Sequence, residues 1–395
     1  MRFDSEQDGP RAELAGTLLE AGVLTADWAE AFAAVPRAAF LPELVWVHDM
    51  ATGRSTPVDR REDPAAWQRA ADANVPIVTQ WDDGQHAGPE PGNTPSSSAS
   101  MPSVVAGMLR DLDVRDGMRV LEVGTGTGWN AGLLAQRLGG GSGVVSVEID
   151  AAVADRARDA LRCAGLAPEV ICGDGAAGWP PAAPYDRLIA TAGVRVVPPA
   201  WRQQVRPGGV VLAPWGTHFS DQDALVRLTV AADGTASGPF LRMVEFMKLR
   251  DQRLDWNRFR DHVPRFPGAA EVTATHLTPA DLGDRYDAVR FAIGLRVPAC
   301  AHVVNRVDAA TTRAWFFDLN GPSWAAVTFR GTEAGAEPPA ATVHQSGPRR
   351  LWDEVEAAHA WWAGEGGPGI DRFGLTVTPA GQRAWLDDPS DSWWV

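Results

Sequence analysis

The chain has 395 residues, a formal net charge of −14 and an apolar share of 45%, enough for a sizeable core and for either two domains or one large domain. The acidic balance argues against nucleic acid as a partner, because such proteins usually carry a basic face. No apolar run reaches the roughly 18 residues of a membrane span, and the polar N-terminus, MRFDSEQDGP, is unlike a secretory signal. We therefore expect a cytoplasmic protein with no nucleic-acid or membrane partner.

The N-terminal part combines predicted helices with a long polar stretch. Residues 11–35 predict two short helices, and residues 103–112, SVVAGMLRDL, predict another. Between them, residues 52–100 are rich in Pro, Gly, Asp and Ser. We expect this polar stretch to be a long loop that is functional or mobile.

Predicted strands and helices alternate through the middle of the chain. The predicted strands are MRVLEV, VVSVEI, PEVIC, YDRLIAT and GVVLAP, and the predicted helices between them are GWNAGLLAQRL, AAVADRARDALRCAG and PPAWRQQV. Several of these strands are apolar on both faces, as expected where helices cover a parallel sheet on both sides. The pattern predicts an α/β fold.

The character of the chain changes at about Arg250. DQRLDWNRFRDHVPRFPG is typical of a connector and GTEAGAEPPA of a loop, whereas VRFAIGLRVP and RAWFFDLNGPSWAAVTFRG predict strands and turns. RRLWDEVEAAHAWWAG predicts a helix and RFGLTVTPAGQRAWLD a hairpin. We expect two domains, residues 1–250 and a smaller α+β domain of residues 251–395.

A glycine-rich turn follows the first predicted parallel strand, in VLEVGTGTGWNAGLLAQRLG. A dinucleotide fingerprint requires G-x-G-x-x-G, but Gly124, Gly126 and Gly128 are spaced G-x-G-x-G and Trp129 takes the position of the third glycine. The turn therefore argues against NAD. Its glycines allow the backbone to approach a ligand without an intervening Cβ.

Acidic residues accompany this turn and the two strands that follow. Glu122 lies two residues before the first glycine, Glu148 ends the next strand, and Asp174 follows the third strand in CGDG. A carboxylate at Glu148 can accept hydrogen bonds from both hydroxyls of a ribose. A carboxylate at Asp174 can contact the edge of an adenine ring. Together with the glycine turn, these acids predict a Rossmann-like class I S-adenosylmethionine-dependent methyltransferase, with S-adenosylhomocysteine as the spent cofactor.

The same residues carry a resemblance to a known family. VPRAAFLPE, SASMP, VLEVGTGTGWNAGLLA, GDG and PYDRLIATAGVRVVPPAWRQQVRPGGVVLAPWG occur in the order of the corresponding elements of the protein-L-isoaspartate O-methyltransferases. The chain resembles that family over about residues 10–250. The resemblance implies methyl transfer to a side-chain carboxylate of a protein or peptide that bears an Asp or isoAsp.

The resemblance also implies roles for individual residues. It places Ser100 as the catalytic residue and Ser97, Ser98 and Ser100 at the border of the methyl-transfer site. It implies cofactor contacts by Ser97, Ser98, Glu122, Val123, Gly124, Thr125, Gly126, Thr127, Glu148, Ile149, Asp174 and Gly175. The eight histidines are scattered without ligand spacing, so we expect no metal.

Two departures from the family pattern bear on the substrate. The chain continues for about 145 residues past the expected end of a repair enzyme, and KLRD places Arg250 where the family has a threonine beside the site. These features resemble a branch that methylates one aspartate in ribosomally made lanthipeptides, lasso peptides and graspetides, leading to aspartimide or, after hydrolysis, isoaspartate. In that branch Arg250 and Ser98 would contact the peptide, and the C-terminal domain, with nine of the seventeen tryptophans, would recognise it.

The sequence leaves three functions open. The first is methylation of an aspartate in such a modified peptide, and the second is repair of isoaspartyl residues in damaged proteins. The third belongs to another class, a non-catalytic scaffold that binds the cofactor and a peptide. The precursor peptide, the target residue and the oligomeric state do not follow from the sequence.

Overall fold

The structure is a computed structural model that describes residues 8–254, 262–263, 265–331 and 340–395, with side chains from residue 12 onward. Within these ranges the helices are α1 (Asp8–Glu20), α2 (Ala26–Ala34), α3 (Pro64–Asp72), α4 (Pro102–Leu112), α5 (Trp129–Arg137), α6 (Ala151–Cys163), α7 (Pro199–Gln204), α8 (Ala288–Arg296) and α9 (Leu351–Gly364). No described helix is both long enough and apolar enough to cross a membrane.

The strands of the first half are β1 (Leu44–Asp49), β2 (Arg54–Asp59), β3 (Ile77–Trp81), β4 (Pro95–Ala99), β5 (Val120–Val123), β6 (Val144–Glu148), β7 (Glu169–Cys172), β8 (Tyr185–Ala190) and β9 (Val205–Trp215). Those that follow are β10 (Asp223–Val230), β11 (Ala236–Val244), β12 (Glu271–Thr275), β13 (Cys300–Arg306), β14 (Thr311–Asp318), β15 (Trp324–Arg330), β16 (Ala341–Ser346), β17 (Phe373–Thr378), β18 (Gly381–Leu386) and β19 (Ser392–Trp394).

The chain forms two compact units. Unit 1 comprises residues 1–192, 198–213 and 229–234, and unit 2 comprises residues 193–197, 214–228 and 235–395. The units therefore interleave along the chain, whereas the sequence analysis expects one boundary after residue 250. That boundary stays a prediction.

Unit 1 is built on parallel strands in the order β7-β6-β5-β8-β9. All four residues of β5 are buried, including the polar Glu122. Burial on both faces explains why the other residues of the strand are apolar. The strand β5 lies between β6 and β8, so the strand order reverses at β5. Ligands of open α/β sheets bind beyond the carboxyl ends of the strands at this reversal. The predicted class I methyltransferase fold is confirmed.

A second, antiparallel sheet with the order β2-β1-β3-β4 occupies the segment expected to be a long loop. That expectation is wrong. Asp63 caps α3 by accepting a hydrogen bond from Ala66 N, and Trp67 of α3 packs in a core with Val45 and Ile77. The strand β4, PSSSA, buries Ser97 and Ala99 on one face, an alternation hidden by the small polar residues.

Unit 2 contains two antiparallel groups of strands, in the orders β10-β11-β17-β18-β19 and β12-β16-β15-β14-β13. The helices α8 and α9 pack with the second group around Phe316, Val327, Val343, Trp352 and Val355. The predicted C-terminal helix and hairpin are confirmed as α9 and β17–β18.

One predicted strand of unit 2 is wrong, because VRFAIGLRVP forms α8. Its residues Val289, Phe291, Ala292, Ile293, Gly294 and Leu295 are all buried, so the helix lacks the polar face that distinguishes a helix from a buried strand. Residues 255–261 and 264 of the predicted connector and residues 332–339 of the loop GTEAGAEPPA lie outside the described residues.

Candidate functional site

The glycine turn that follows β5 requires glycine at its first two glycine positions. Gly124 has φ +96°, and a Cβ there would lie 2.8 Å from the Thr191 hydroxyl oxygen. Gly126 has φ +53°, and its Cβ would lie 3.4 Å from the Ser98 carbonyl oxygen. The turn is therefore a bare backbone cradle between the end of β8 and the serine-bearing strand β4.

Glu148, at the end of β6, lies against this cradle. Its carboxylate accepts hydrogen bonds from Gly126 N at 2.9 Å and from Asp150 N at 3.1 Å. The adjacent Ile149 is 44% exposed, an unusual exposure for a large apolar side chain at a strand end. Such a carboxylate could bind the hydroxyls of a ribose, and the exposed apolar side chain next to it could contact the attached adenine ring.

The loop after β7 reaches the same edge of the sheet. A Cβ on Gly175 would lie 2.4 Å from Val123 Cγ1, so the loop passes directly over the end of β5. Asp174 accepts a hydrogen bond from Ala176 N at 2.9 Å, and the Trp201 indole N–H donates to the Gly175 carbonyl at 2.9 Å. The predicted residues Val123, Glu148, Asp174 and Gly175 thus converge at one end of the parallel strands.

The serine-bearing strand β4 lies beside the turn and ends at Ala99, one residue before Ser100. Ser97 is buried and its hydroxyl accepts a hydrogen bond from the Thr79 hydroxyl at 3.3 Å, while Ser98 and Ser100 are half-buried. Gln80 of β3 accepts from the Ser96 hydroxyl at 2.9 Å and donates to Asp150 at 3.2 Å. These bonds fix the strand, and the described residues provide no hydrogen-bond partner for the Ser100 hydroxyl, which leaves it available to a ligand.

Arg37, which the sequence analysis did not single out, anchors this strand. It is 4% exposed, and its guanidinium donates to the carbonyl oxygens of Ala99 at 2.8 Å, Val75 at 2.9 Å and Ala73 at 3.3 Å. Burial lowers the pKa of Arg37 to about 9, and Asp72 partly offsets that effect, so the group stays charged at neutral pH. The arginine of VPRAAF therefore positions the segment that precedes Ser100.

Replacing Arg37 with Met should lower the free energy of unfolding by about 2–4 kcal/mol, because the carbonyl groups lose a charged donor inside the protein. Urea denaturation measures the change. Arg61→Met is the matched control: Arg61 is 67% exposed and pairs with Asp59, so its loss should cost at most about 1 kcal/mol. Equal losses for the two variants would contradict the anchoring role of Arg37.

Glu122 lies under the turn rather than on its surface. It is fully buried, accepts a hydrogen bond from the Asn130 amide at 2.6 Å and accepts another from the Ser146 hydroxyl. Ser146 also bonds the Thr125 hydroxyl at 2.6 Å. The structure therefore gives Glu122 contacts that support the turn from below, and its contact with the cofactor stays a prediction.

Burial raises the pKa of Glu122 to about 7 from its ordinary value of 4.5; the Glu148 charge adds to this, and the bonds from Ser146 and Asn130 oppose it. Between pH 4.5 and about 7, Glu122 is therefore protonated in the folded state and ionised in the unfolded state. The resulting stabilisation is complete below pH 4.5 and is lost as the pH rises through about 7.

The Glu122→Gln variant should lose this pH dependence. Relative to the variant, the wild-type free energy of unfolding should fall by about 3 kcal/mol between pH 4.5 and 8. Denaturant titrations of both proteins across that range measure the difference, in which all other titrating groups cancel. A constant difference across the range would show that Glu122 is ionised throughout.

Thr191 is a second residue that the sequence analysis missed. It follows β8, and its hydroxyl donates to the Gly124 carbonyl and lies 3.2 Å from the Val123 carbonyl oxygen. The hydroxyl thereby ties the end of β8 to the first peptide of the turn. Thr127, the remaining predicted residue of the turn, is half-buried.

Arg250 belongs to unit 2, where it begins a short 3-10 helix, Arg250–Gln252. Just before it, Lys248 forms a buried ion pair with Asp223 at 2.6 Å, and Gly193 N donates to the Met247 carbonyl at 2.8 Å. The Gln252 side-chain oxygen accepts from Arg195 N at 2.7 Å. The segment is thus held to residues 193–195, and the position of Arg250 at the substrate stays a prediction.

Comparisons with known proteins point to one family. The family described as Protein-L-isoaspartate(D-aspartate) O-methyltransferase (PCMT) matches residues 89–254. The Protein-L-isoaspartate O-methyltransferase of Anaeromyxobacter dehalogenans (strain 2CP-1) is 45% identical over 152 residues, 38% of this chain and 71% of that protein. The protein of the same name from Pyrococcus horikoshii is 42% identical over 127 residues, 32% of this chain and 57% of that protein.

A solved structure named protein-L-isoaspartate O-methyltransferase extends the likeness of the fold. It matches with a TM-score of 0.55 and 22% identity, covering 96% of this chain and 100% of its own. A fold that continues past residue 250 therefore also occurs in a structure of that name. The C-terminal extension by itself does not indicate the modified-peptide branch.

The glycine turn, Glu148, Asp174 and the strand β4 all lie within the residues that the family matches. The chain belongs to the protein-L-isoaspartate O-methyltransferase family, whose members are S-adenosylmethionine-dependent protein carboxyl O-methyltransferases.

Proposed function

We propose that the protein methylates the free α-carboxylate of an isoaspartyl residue in a peptide or protein, with S-adenosylmethionine as the methyl donor. The observation that carries this proposal is the approach of β4 to the glycine turn, where Ser98 O lies 3.4 Å from the Cβ position of Gly126. This approach brings β4, which ends one residue before Ser100, to the glycine turn.

The residues of unit 1 fit S-adenosylmethionine. The backbone of the turn, which has no Cβ at Gly124 or Gly126, would lie against its amino-acid end. Glu148 and Ile149 would hold the ribose and one face of the adenine, and Asp174 with Gly175 would meet the adenine edge. When bound, the cofactor supplies an electrophilic methyl group.

The protein's part in the reaction is orientation. A substrate carboxylate is ionised at neutral pH, since its pKa is about 4, so no general base is required. The Ser100 hydroxyl would donate a hydrogen bond to the substrate and direct one carboxylate oxygen to the methyl group. Arg37 and Gln80 fix the strand that immediately precedes Ser100, and such positioning supplies a large part of a rate enhancement.

The relatives are named for isoaspartate, which favours this substrate over the ordinary aspartate of a modified peptide that the sequence analysis placed first. Arg250 is the feature that favours the second candidate, because a cation at the substrate would attract an acidic peptide. In either case the ester can close to an aspartimide when the next amide nitrogen attacks the esterified carbonyl, which is the α-carbonyl in isoaspartate and the side-chain carbonyl in aspartate. Methanol then leaves with the proton of that nitrogen.

Two peptides of identical sequence, one with isoaspartate and the other with aspartate at the same position, test the proposal. With S-adenosylmethionine labelled in its methyl group, we expect the isoaspartyl peptide to acquire a label that base removes. The aspartyl peptide should acquire none. Label in the aspartyl peptide alone would establish the second candidate. Binding of S-adenosylhomocysteine without transfer to either peptide would contradict both and favour a scaffold.

A further inference from the structure

The loop that follows β8, residues 191–197, begins at the point where the strand order reverses. In the order β7-β6-β5-β8-β9, the strands β6 and β7 lie on one side of β5, and β8 and β9 lie on the other. The loops after β5 and β8 therefore flank the crevice in which open α/β sheets bind ligands. The loop after β5 is the glycine turn, and the Thr191 hydroxyl ties the β8 loop to it.

From Gly193 to Val197 the β8 loop belongs to unit 2, where a residue far along the chain holds it. The side chain of Gln382, on β18, donates to the Arg195 carbonyl at 2.9 Å and accepts from Val197 N at 2.8 Å. Gln382 is only 6% exposed, and hydrogen bonds in such a low-dielectric surrounding are stronger than in water. Both polar atoms of one buried amide thus fix the backbone of the loop.

A second glutamine, Gln252, holds the same loop. Its side-chain oxygen accepts from Arg195 N at 2.7 Å and from Val196 N at 3.0 Å. Its side-chain nitrogen donates to the Val196 carbonyl at 3.0 Å. Together the two glutamines bind the N–H groups of residues 195, 196 and 197 and the carbonyl groups of residues 195 and 196, which holds this stretch of backbone in one conformation.

The β8 loop held in this way keeps one apolar side chain in solvent. Val194 and Val197 are buried, whereas Val196 between them is 55% exposed. The surface of the loop is therefore open to a ligand. A loop that is already ordered spares the ligand the entropy cost of ordering it on binding.

We propose that Gln382 is a positioning residue for methyl transfer, which with Gln252 fixes the β8 loop and thereby the approach of the substrate carboxylate to the methyl group. In that step a carboxylate oxygen bonds the methyl carbon as the carbon–sulfur bond breaks, and the electron pair of that bond stays on sulfur. Gln382 is buried, so it acts through the backbone of residues 195 and 197 and not by contact with the substrate. The inference rests on the proposed function for its reaction, and it gives the hairpin β17–β18 a part in that reaction.

Kinetics of methyl transfer by the full-length Gln382→Leu variant test the inference. Leucine fills nearly the same volume but cannot bond to the backbone of the loop, so residues 195–197 lose their fixed conformation. We expect kcat for the isoaspartyl peptide to fall about tenfold, because a misplacement of about 1 Å can cost up to about 100-fold in rate. The Kd of S-adenosylhomocysteine should stay unchanged, since Gln382 holds neither the glycine turn nor the acids after β6 and β7.

Gln345→Leu is the matched control. Gln345 is also a buried glutamine of unit 2, and its amide accepts from Trp352 N at 3.2 Å and donates to the Asp353 carboxylate at 2.7 Å. Both variants remove the same chemical group and should lower the melting temperature to a similar extent, but only Gln382→Leu should lower kcat. Equal losses of kcat would attribute the effect to general destabilisation and overturn the inference.

Hydrogen–deuterium exchange, followed by mass spectrometry, measures the loop without methyl transfer. The N–H groups of residues 195–197 donate to the two glutamines, so they should exchange slowly in the wild type and about tenfold faster in Gln382→Leu. Gln345→Leu should leave their exchange unchanged. Should Gln382→Leu fail to fold, Gln252→Leu changes a half-buried side chain and must show the same faster exchange and lower kcat.

Unchanged exchange in Gln382→Leu would overturn the inference. Faster exchange with an unchanged kcat would overturn it as well, because the loop would then be held without serving the reaction. Methylation of the aspartyl peptide alone would contradict the proposed function, whereas a lower kcat of Gln382→Leu with that peptide would still support the inference. A wild type that transfers methyl groups to neither peptide would contradict both.

Discussion

The Gly124→Ala variant should lose measurable binding of S-adenosylhomocysteine, with at least about a 100-fold weaker Kd. The new Cβ would lie 2.8 Å from the Thr191 oxygen, so the bond from Thr191 to the Gly124 carbonyl must break. The residue is also held at φ +96°, where an L-residue costs about 1–3 kcal/mol. Isothermal titration calorimetry of both proteins with S-adenosylhomocysteine measures the effect.

Gly117→Ala is the matched control for this substitution. Gly117 also has a positive φ, +78°, but no atom lies within 4 Å of its Cβ position. It should lose about 1 kcal/mol of stability through backbone strain while its affinity for S-adenosylhomocysteine stays unchanged. A similar loss of affinity in both variants would mean that general destabilisation, not the turn, weakens binding.

The Ser100→Ala variant should transfer methyl groups about 100-fold more slowly while binding S-adenosylhomocysteine as the wild type does. Its hydroxyl has no partner in the described protein, so removal leaves no buried group unsatisfied and should not unfold the chain. A misplaced carboxylate loses the aligned approach on which the rate depends. Methyl transfer to the isoaspartyl peptide, measured as kcat and KM, reports the loss.

Ser142→Ala serves as the control for Ser100, because Ser142 is exposed between α5 and β6. The two variants make the same chemical change, and only the first should lower kcat. An unchanged kcat in Ser100→Ala would remove this serine from the reaction. A weaker Kd for S-adenosylhomocysteine in Ser100→Ala would instead assign its hydroxyl to cofactor binding.

The parallel part of the fold was predictable because its signals are local. Strands that are apolar on both faces alternate with helices, and the helix α6 shows its buried face as Val153, Ala157 and Leu161. The antiparallel sheet of residues 44–99 was not predictable, since the buried face of β4 is formed by Ser97 and Ala99, and a buried serine cannot be distinguished in the sequence from its half-buried neighbours. The helix α8 was missed for the opposite reason, because it is buried nearly all round.

The residues of the site likewise divide into those with a local signal in the sequence and those without one. Glu148, Asp174 and the glycines could be identified because carboxyl ends of parallel strands meet at one edge of a sheet. Arg37 could not, because its carbonyl partners lie 36 to 62 residues further along the chain. Thr191 bonds a turn 67 residues before it. For Arg37, the one local signal was its place in VPRAAF, which indicates a family but not a contact.

A crystal structure of the protein with S-adenosylhomocysteine tests the central claim most directly, through the distance from the Ser100 hydroxyl oxygen to the cofactor sulfur. A carboxylate oxygen that is hydrogen-bonded to Ser100 and in line with a methyl group requires at most about 8 Å between them. We expect a distance within that limit, with Ser100 facing an open cleft. A much longer distance, or a Ser100 sealed from solvent in the complex, would contradict the account.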